Sequence, residues 1–504
     1  MESNSKKANK GFLAWVERVG NKIPHPFILF LWLIVIIAAV SFIANKAGLS
    51  VINPTDGQEV IAKNLLSGEG INFALSNATK NFTGFAPLGL VLTMTLGIGL
   101  AEQVGLMSSF MRKTILGASP KLITFVIMII GINGNIASDA AIVIIPAISA
   151  MIFLSIGRHP LAGIALGYAA TTAGFSANFL IAGTDGLLAG ITNEASKIVG
   201  GFEIPVTANW YIMASSTLVL AFVGTYISEK IIEPRLGKYH GKKEVINEKV
   251  SPQENKALRS AGIGLIVYLS ALVILAAPKT SFLRNPDTGS LIDKSPLLAG
   301  IIPLLLLLFL STSIPYGKSI GKIKSSGDIP KYMGLAIKDM SPFIVLAFII
   351  GQFIAYFNWS NLGLILAISG ANLLKVANFT GIPLFISFIL LTAFVNLFIG
   401  SGSSKWALLA PIFVPLFYLL DYNPALTQML YRIGDSATNI ISPLFPYFPI
   451  ILGLFNEYDE EAGVGTVLSL MIPYSLIMLA IWIILGILWI SFGLPLGPGG
   501  GLYL

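Results

Sequence analysis

The five residues Ser401-Gly-Ser-Ser-Lys405 interrupt an otherwise apolar stretch, with residues 383–400 before them and 406–420 after. Upstream, Asn133-Gly-Asn-Ile-Ala-Ser-Asp139 stands in the same way between an apolar run at 122–132 and another at 140–157. A membrane-spanning helix needs about 20 apolar residues. The run at 122–132 is too short to span alone, and each pair of runs is joined only by a short, polar, glycine-containing tip. Two readings fit: a pair of ordinary spans with a short loop, or a re-entrant hairpin whose tip lies at membrane depth. The second requires protein or a water-filled cavity around the tip, because backbone groups in hydrocarbon must be satisfied internally.

Composition supports a membrane setting for both tips. The chain has 504 residues, 55% hydrophobic and 11% charged, against about 25% charged in an average soluble protein. A mean hydropathy of +0.79 exceeds what a soluble surface of this size tolerates. With no cysteine, a disulfide scaffold, a cysteine nucleophile and a thiolate metal site are excluded. Further apolar spans read at 26–48, 87–110, 160–182, 210–231, 258–277, 296–313, 340–357, 425–453 and 466–493. The expected fold is therefore an all-α polytopic membrane protein with about nine transmembrane helices and two re-entrant hairpins.

The expected organisation is a cytoplasmic N-terminal segment (1–25), a first repeat (26–233) with its hairpin near 117–158, and a cytoplasmic loop and linking helix (234–295). A second repeat (296–493) follows, with its hairpin near 380–420, and then a C-terminal tail (494–504). The glycine-rich run 497–501 reads as flexible. It is no phosphate loop, since no strand precedes it and no Lys-Ser/Thr follows. With the N-terminus in the cytoplasm, 22 of the 32 Lys and Arg lie in cytoplasmic segments, a positive-inside bias. The net charge of +7 is thus chiefly a topology signal. The partner it implies is the anionic lipid surface, and nucleic acid is not expected.

The halves resemble one another. The first tip is followed by Gly174-Phe-Ser-Ala-Asn178 and the second by Gly434-Asp-Ser-Ala-Thr-Asn439, with Pro146 and Pro411 in the corresponding second arms. Under the charge assignment the two hairpins enter from opposite sides. An inverted-topology repeat with helices broken near the midplane points to a secondary transporter.

Few ionisable groups remain inside the apolar spans: Glu102, Asp139, Asp185, Lys405, Arg432 and Asp435. Such groups are costly in a membrane and are functional candidates. Arg432 and Asp435, three residues apart, share a helix face. They could pair with each other, or Asp435 could join Asn439 and freed carbonyls around a hard cation. Asp185 follows the first break; it marks a helix end at water or a buried carboxylate able to carry a proton. Lys405 and Trp406 open a helix after the second tip, where anions are attracted, and the Trp406 ring offers a stacking face. Asn133, Asn135 and Ser138 match that tip in polarity, either as caps or as ligand groups. His25, His159 and His240 sit at span ends, away from an interior proton path. No nucleophile–base constellation reads as enzymatic.

At these residues the chain resembles the p-aminobenzoyl-glutamate transporter (AbgT) family: Gly400-Ser-Gly-Ser-Ser-Lys-Trp-Ala-Leu-Leu-Ala-Pro411, then Tyr431-Arg-Ile-Gly-Asp-Ser-Ala-Thr-Asn-Ile-Ile-Ser-Pro443, with Asn133-Gly-Asn-Ile-Ala-Ser-Asp-Ala-Ala141 and Ala182-Gly-Thr-Asp185 in the first half. The resemblance implies a homodimer of nine-helix protomers in the bacterial inner membrane. Its substrates would be p-aminobenzoyl-glutamate-like aromatic carboxylates, and for some members sulfonamide-type drugs, with efflux driven by proton exchange; the expected coupling is to a proton or a sodium gradient, through an elevator-like motion of the hairpin core. It implies transport roles for Asp185, Ser403, Trp406, Pro424, Arg432 and Asp435, with Asn135 and Ser138 added from the first tip. Asp185, Asn396, Asp435 and Asn439 become candidates for cation coupling, and Asn396, Asp435 and Asn439 candidate ligands of a bound sodium ion. No other cofactor is implied. The main alternative is a sodium-coupled dicarboxylate symporter of similar hairpin architecture.

Overall fold

The computed structural model describes residues 24–54, 56–137, 140–241, 250–292, 295–442 and 444–504. Most of the N-terminal segment, the tip residues Ser138 and Asp139, and Pro443 therefore lie outside the described residues.

Helices dominate. In chain order they are α1 (Pro26–Lys46), α2 (Gly68–Thr83), α3 (Ala86–Val104), α4 (Leu106–Leu116), α5 (Ile123–Ile132), α6 (Ala140–Ser155), α7 (Pro160–Tyr168), α8 (Gly183–Ser196), α9 (Trp210–Ile227) and α10 (Pro252–Ala276). The second half adds α11 (Ile301–Ser319), α12 (Asp328–Asp339), α13 (Ser341–Trp359), α14 (Leu362–Val376), α15 (Ile382–Asn396), α16 (Gly402–Tyr418), α17 (Pro424–Ala437), α18 (Phe448–Asn456) and α19 (Val464–Ser491). The expectation of an all-helical chain omitted one antiparallel ribbon, β1 (Ser50–Ile52) with β2 (Glu59–Ile61), in register Ser50 to Ile61. Three residues per strand are too few to show as an alternating pattern.

Starts and stops follow local chemistry. Proline at the first helical position, whose missing N–H costs nothing there, opens α1, α7, α10 and α17. Ser251 and Glu254 form a reciprocal capping box on α10, Ser401 caps α16, and Asn423 caps α17. Gly105, at φ +87°, turns the chain sharply between α3 and α4, a conformation that strains any residue with a Cβ.

Among the described residues, seven helical segments are long and apolar enough to cross a membrane: Pro26–Lys46, Gly68–Val104, Trp210–Leu236, Pro252–Ala276, Ile301–Ser319, Ser341–Trp359 and Val464–Ser491. They coincide with seven of the nine spans read from hydropathy. The other two are interrupted. Span 160–182 runs as α7, then a π-turn over Ala169–Ala173, then non-helical chain to α8. Span 425–453 runs as α17, a 3-10 turn over Asn439–Ile441, and α18. The first break takes in the Gly-x-Ser-Ala motif at 174–177, and the second begins directly after the one at 434–437, which still lies in α17.

Burial separates centre from periphery. Every residue of α7 and of α17 is buried, whereas α10 leaves Ile263, Ile266, Val267, Val273 and Ile274 exposed. Apolar exposure on that scale is what a lipid environment covers. Small residues permit the close central crossings. A Cβ at Gly163 would lie 2.4 Å from the Ser149 carbonyl oxygen of α6, and one at Gly167 would lie 2.7 Å from Pro146. Gly434 meets the Ile389 carbonyl oxygen of α15 at 2.5 Å in the same sense. This is the small-residue packing by which membrane helices approach without a hydrophobic driving force.

The C-terminal run corrects an expectation: it is not a free tail. Asn423 donates its N–H to Leu502 O, Ile212 donates its own to Leu496 O, and Thr207 Oγ1 donates to Pro498 O. The glycines serve close approach instead of flexibility, since a Cβ on Gly500 would sit 1.9 Å from the Ala208 carbonyl oxygen. The tail ties the start of α9 to the cap of α17, a join that composition cannot reveal. Replacing Gly500 with alanine is expected to cost about 1–3 kcal/mol, the usual range for overpacking. A lowered melting midpoint and faster carboxypeptidase trimming of the C-terminus would register it.

Candidate functional site

Both breaks expose backbone groups, and neighbouring side chains satisfy them. In the first, Thr171 Oγ1 donates to Gly167 O (2.9 Å) and Thr172 Oγ1 to Tyr168 O (2.5 Å). In the second, Asn396 Nδ2 donates to Asp435 O and Thr438 Oγ1 to Gly434 O (3.5 Å), while Thr438 Oγ1 and Ser442 Oγ also reach across to Ala393 O (3.1 Å) and Leu397 O (3.0 Å) at the end of α15. Hydroxyls re-satisfying freed carbonyls is the condition for broken helices at membrane depth. The first tip is a 3-10 turn over Asn133–Ala137. Asn133 accepts from Phe179 N at 2.9 Å, and Asn135 Nδ2 donates to Phe175 O at 2.8 Å, so the tip is fastened onto the break that follows it.

The two breaks meet each other. Ser176 N donates to Ser436 Oγ at 3.2 Å. Beside that contact, Arg432 Nη1 lies 2.6 Å from Asp185 Oδ1 and Nη2 donates to Ser176 O at 2.6 Å. Asp185 stands in the first turn of α8, where a helix N-terminus favours negative charge. Its Oδ2 accepts from Ala182 N (2.7 Å) and Asn178 Nδ2 (2.8 Å). Arg432 and Asp435 do not pair with each other. Asp435 Oδ1 instead lies 2.6 Å from Lys405 Nζ, and the same ammonium donates to Asn396 Oδ1. Asn396 Nδ2 in turn donates to Thr438 Oγ1 at 2.9 Å and to Asp435 O. The Tyr431 hydroxyl reaches Gly402 O (2.5 Å) and Asp435 Oδ1 (3.1 Å). All four charged side chains are buried. The site thus holds two ion pairs: one joins α8 to α17 and the other joins α16 to α17.

Trp406 is wholly buried. One face packs on Tyr431, with ring centroids 4.4 Å apart. Its Nε1 donates to Thr192 Oγ1 at 3.0 Å. A polar chain then runs through Gln428, which accepts from Thr192 (2.7 Å) and donates to Asn209 Oδ1 (2.9 Å). Asn209 donates to Ala425 O at 2.8 Å, the residue after Pro424 at the head of α17. Sequence reading missed Thr192, Gln428 and Asn209. Their signal was weak, since each is a single uncharged polar residue. Ser403 Oγ lies 3.2 Å from Ser401 Oγ within the second tip. Glu102 lies in the last turn of α3 and is not fully buried. His159 caps α7; burial lowers its imidazole pKa, while the Asp459 carboxylate acts to raise it.

Several buried atoms have no hydrogen-bond partner among the described residues: Asn135 Oδ1, Asn178 Oδ1, Asn439 Oδ1 and Arg432 Nε. A buried polar atom left unmatched costs roughly 1–3 kcal/mol, so three acceptors and one cationic donor around two breaks suit a ligand bearing both N–H groups and a carboxylate. The sodium donors proposed from sequence stand differently. Asn396 Oδ1 and Asp435 Oδ1 are engaged by Lys405, and only Asn439 Oδ1 of the three side chains is unmatched. As arranged, the set does not fit a sodium ion.

Two interrupted helices meeting over buried charge pairs, in a chain with many apolar spans, define a membrane transporter of the broken-helix class. Residues 11–504 match the family described as "AbgT putative transporter family", and the chain belongs to that family. It is 42% identical to the p-aminobenzoyl-glutamate transport protein of Escherichia coli (strain K12) over 486 residues, 96% of each chain. Two crystal or solved structures share the fold. The YdaH transporter of Alcanivorax borkumensis is 36% identical with a TM-score of 0.90, covering 94% of this chain and 100% of that one. MtrF of Neisseria gonorrhoeae, described as illuminating a class of antimetabolite efflux pumps, is 40% identical with a TM-score of 0.91, covering 97% of this chain and 100% of that one.

Proposed function

We propose that this chain is a secondary active transporter of p-aminobenzoyl-glutamate-like aromatic carboxylates, with sulfonamide-type drugs as further export substrates, driven by the proton gradient. The observation that carries the reading is the Asp185–Arg432 pair across the two breaks. Arginine grips a carboxylate in a bidentate manner. Here its two terminal nitrogens are held by Asp185 and by the Ser176 carbonyl. A substrate carboxylate takes Arg432 only when Asp185 lets go, and a proton on Asp185 removes the attraction that holds it. Proton and substrate are thereby linked through one guanidinium. The substrate's aromatic ring packs near Trp406, and the unmatched amide oxygens of Asn135, Asn178 and Asn439 accept from its N–H groups.

In the same reading the 117–158 and 380–420 segments are re-entrant hairpins within a nine-span protomer. The buried core around α7 and α17 moves elevator-fashion against a lipid-facing frame that includes α10. The protein works as a homodimer in the bacterial inner membrane, with a cytoplasmic N-terminus. The domain limits given above mark the two inverted repeats.

Proteoliposomes with an imposed pH gradient test it. Labelled p-aminobenzoyl-glutamate is expected to move with the gradient in wild type. Flux is expected to fall at least about tenfold, equivalent to some 1.4 kcal/mol, in Asp185→Ala, Trp406→Ala and Arg432→Ala. Unchanged flux in all three removes the site assignment. Sodium-dependent succinate uptake without p-aminobenzoyl-glutamate flux replaces the reading with a dicarboxylate symporter.

A further inference from the structure

Lys405 is a buried charge in the site to which the proposed transport cycle gives no task. Its position is costly by local rules. It sits in the first turn and a little beyond on α16, which begins at Gly402, and a cation near a helix N-terminus opposes the macrodipole. It is also wholly buried, and an ammonium at membrane depth is expensive unless paired. The pairing is complete on the acid side: Nζ lies 2.6 Å from Asp435 Oδ1 and donates to Asn396 Oδ1. Those are two of the oxygens a hard cation would take, contributed by the first arm of the second hairpin region and by the broken helix.

We propose that Lys405 is a covalently tethered counter-cation: its ammonium fills the cation position formed by Asn396 and Asp435, so that the wild-type protein binds no sodium there. Electrostatics support the exclusion. Asp435 supplies one negative charge, and Lys405 already balances it. A sodium ion added between Asn396, Asp435 and Asn439 would set two cations against one carboxylate in a low-dielectric interior, where like charges repel strongly. Ammonium also satisfies the site's geometry, since it brings three donors to oxygens that would otherwise need a metal. Removing the ammonium frees a buried carboxylate oxygen and an amide oxygen that it now holds together, the carboxylate standing four residues along the chain from the already unmatched Asn439 Oδ1, and such oxygens are the ligands a hard cation takes. The inference rests on the cation-coupling part of the proposed function and places coupling away from sodium.

The test reads ion binding on purified full-length protein without substrate, so its failure leaves the substrate assignment standing. Melting midpoints are compared in sodium chloride and in choline chloride of equal ionic strength. Wild type is expected to melt at the same temperature in both. Lys405→Met is expected to be destabilised in choline and to recover as sodium rises, with the logarithmic dependence of a ligand that binds the folded state. The double variant Lys405→Met/Asp435→Asn is expected to lose that sodium response. Lys405→Gln, which keeps a donor toward Asn396, replaces Lys405→Met should the latter not fold. A sodium-dependent rise in wild type that Asp435→Asn abolishes overturns the proposal. So does a folded Lys405 variant whose midpoint ignores sodium.

Discussion

Arg432→Met is expected to lose substrate flux entirely and to destabilise the protein by about 3–5 kcal/mol, the range for deleting one partner of a buried ion pair. The cost arises mainly from what remains. Asp185 keeps its charge inside the protein with only Ala182 N and Asn178 Nδ2 to stabilise it. The Ser176 carbonyl also loses its donor from Arg432. Asp185→Asn alone strands the guanidinium in the same way. The pair Arg432→Met with Asp185→Asn removes both charges, and an asparagine oxygen can still accept from Ala182 N. Most of the lost stability is therefore expected to return in the double variant, while flux stays absent because no group remains to grip a carboxylate. Scanning fluorimetry and proteoliposome flux on the four proteins separate the two effects. A double variant that transports would refute the role given to Arg432.

Trp406→Ala is the second large effect. Large-to-small changes at a buried aromatic cost about 3–5 kcal/mol, and here the indole also covers Tyr431 and donates to Thr192. Its loss frees the Tyr431 ring and opens the polar chain through Gln428 and Asn209. Flux is expected to disappear. Trp406→Phe keeps an aromatic face and removes only the Nε1 donor, a loss of about 1 kcal/mol. Its expected signature is a raised KM with Vmax largely kept, since ring packing survives. Equal flux in both variants would show that an aromatic face at this position is not needed.

The long helices were legible because lipid imposes a simple rule of length and apolarity. Seven spans follow from it directly. The breaks were legible for a different reason. Gly174-Phe-Ser-Ala-Asn178 and Gly434-Asp-Ser-Ala-Thr-Asn439 put helix-weakening residues and small hydroxyls where an uninterrupted span would carry leucine and isoleucine, and the chain leaves the α-helix there. The role of the glycine-rich C-terminus was not legible. Composition cannot distinguish a glycine needed for flexibility from one needed because Ala208 O stands 1.9 Å from where a Cβ would be.

The buried charges mark the same boundary. Rarity alone singled out six charges as candidates, because a charge in an apolar span needs a reason to be there, and four of them, Asp185, Lys405, Arg432 and Asp435, come together in two buried pairs. Their partners were another matter. Arg432 and Asp435 stand three apart on one helix and suggest a local pair, yet Arg432 reaches Asp185 on α8 and Asp435 reaches Lys405 on α16. Helical periodicity determines only which side chains share a face. What faces them is set by how α17 crosses α8 and α16 between the two breaks, and that crossing depends on close packing among residues hundreds of positions apart.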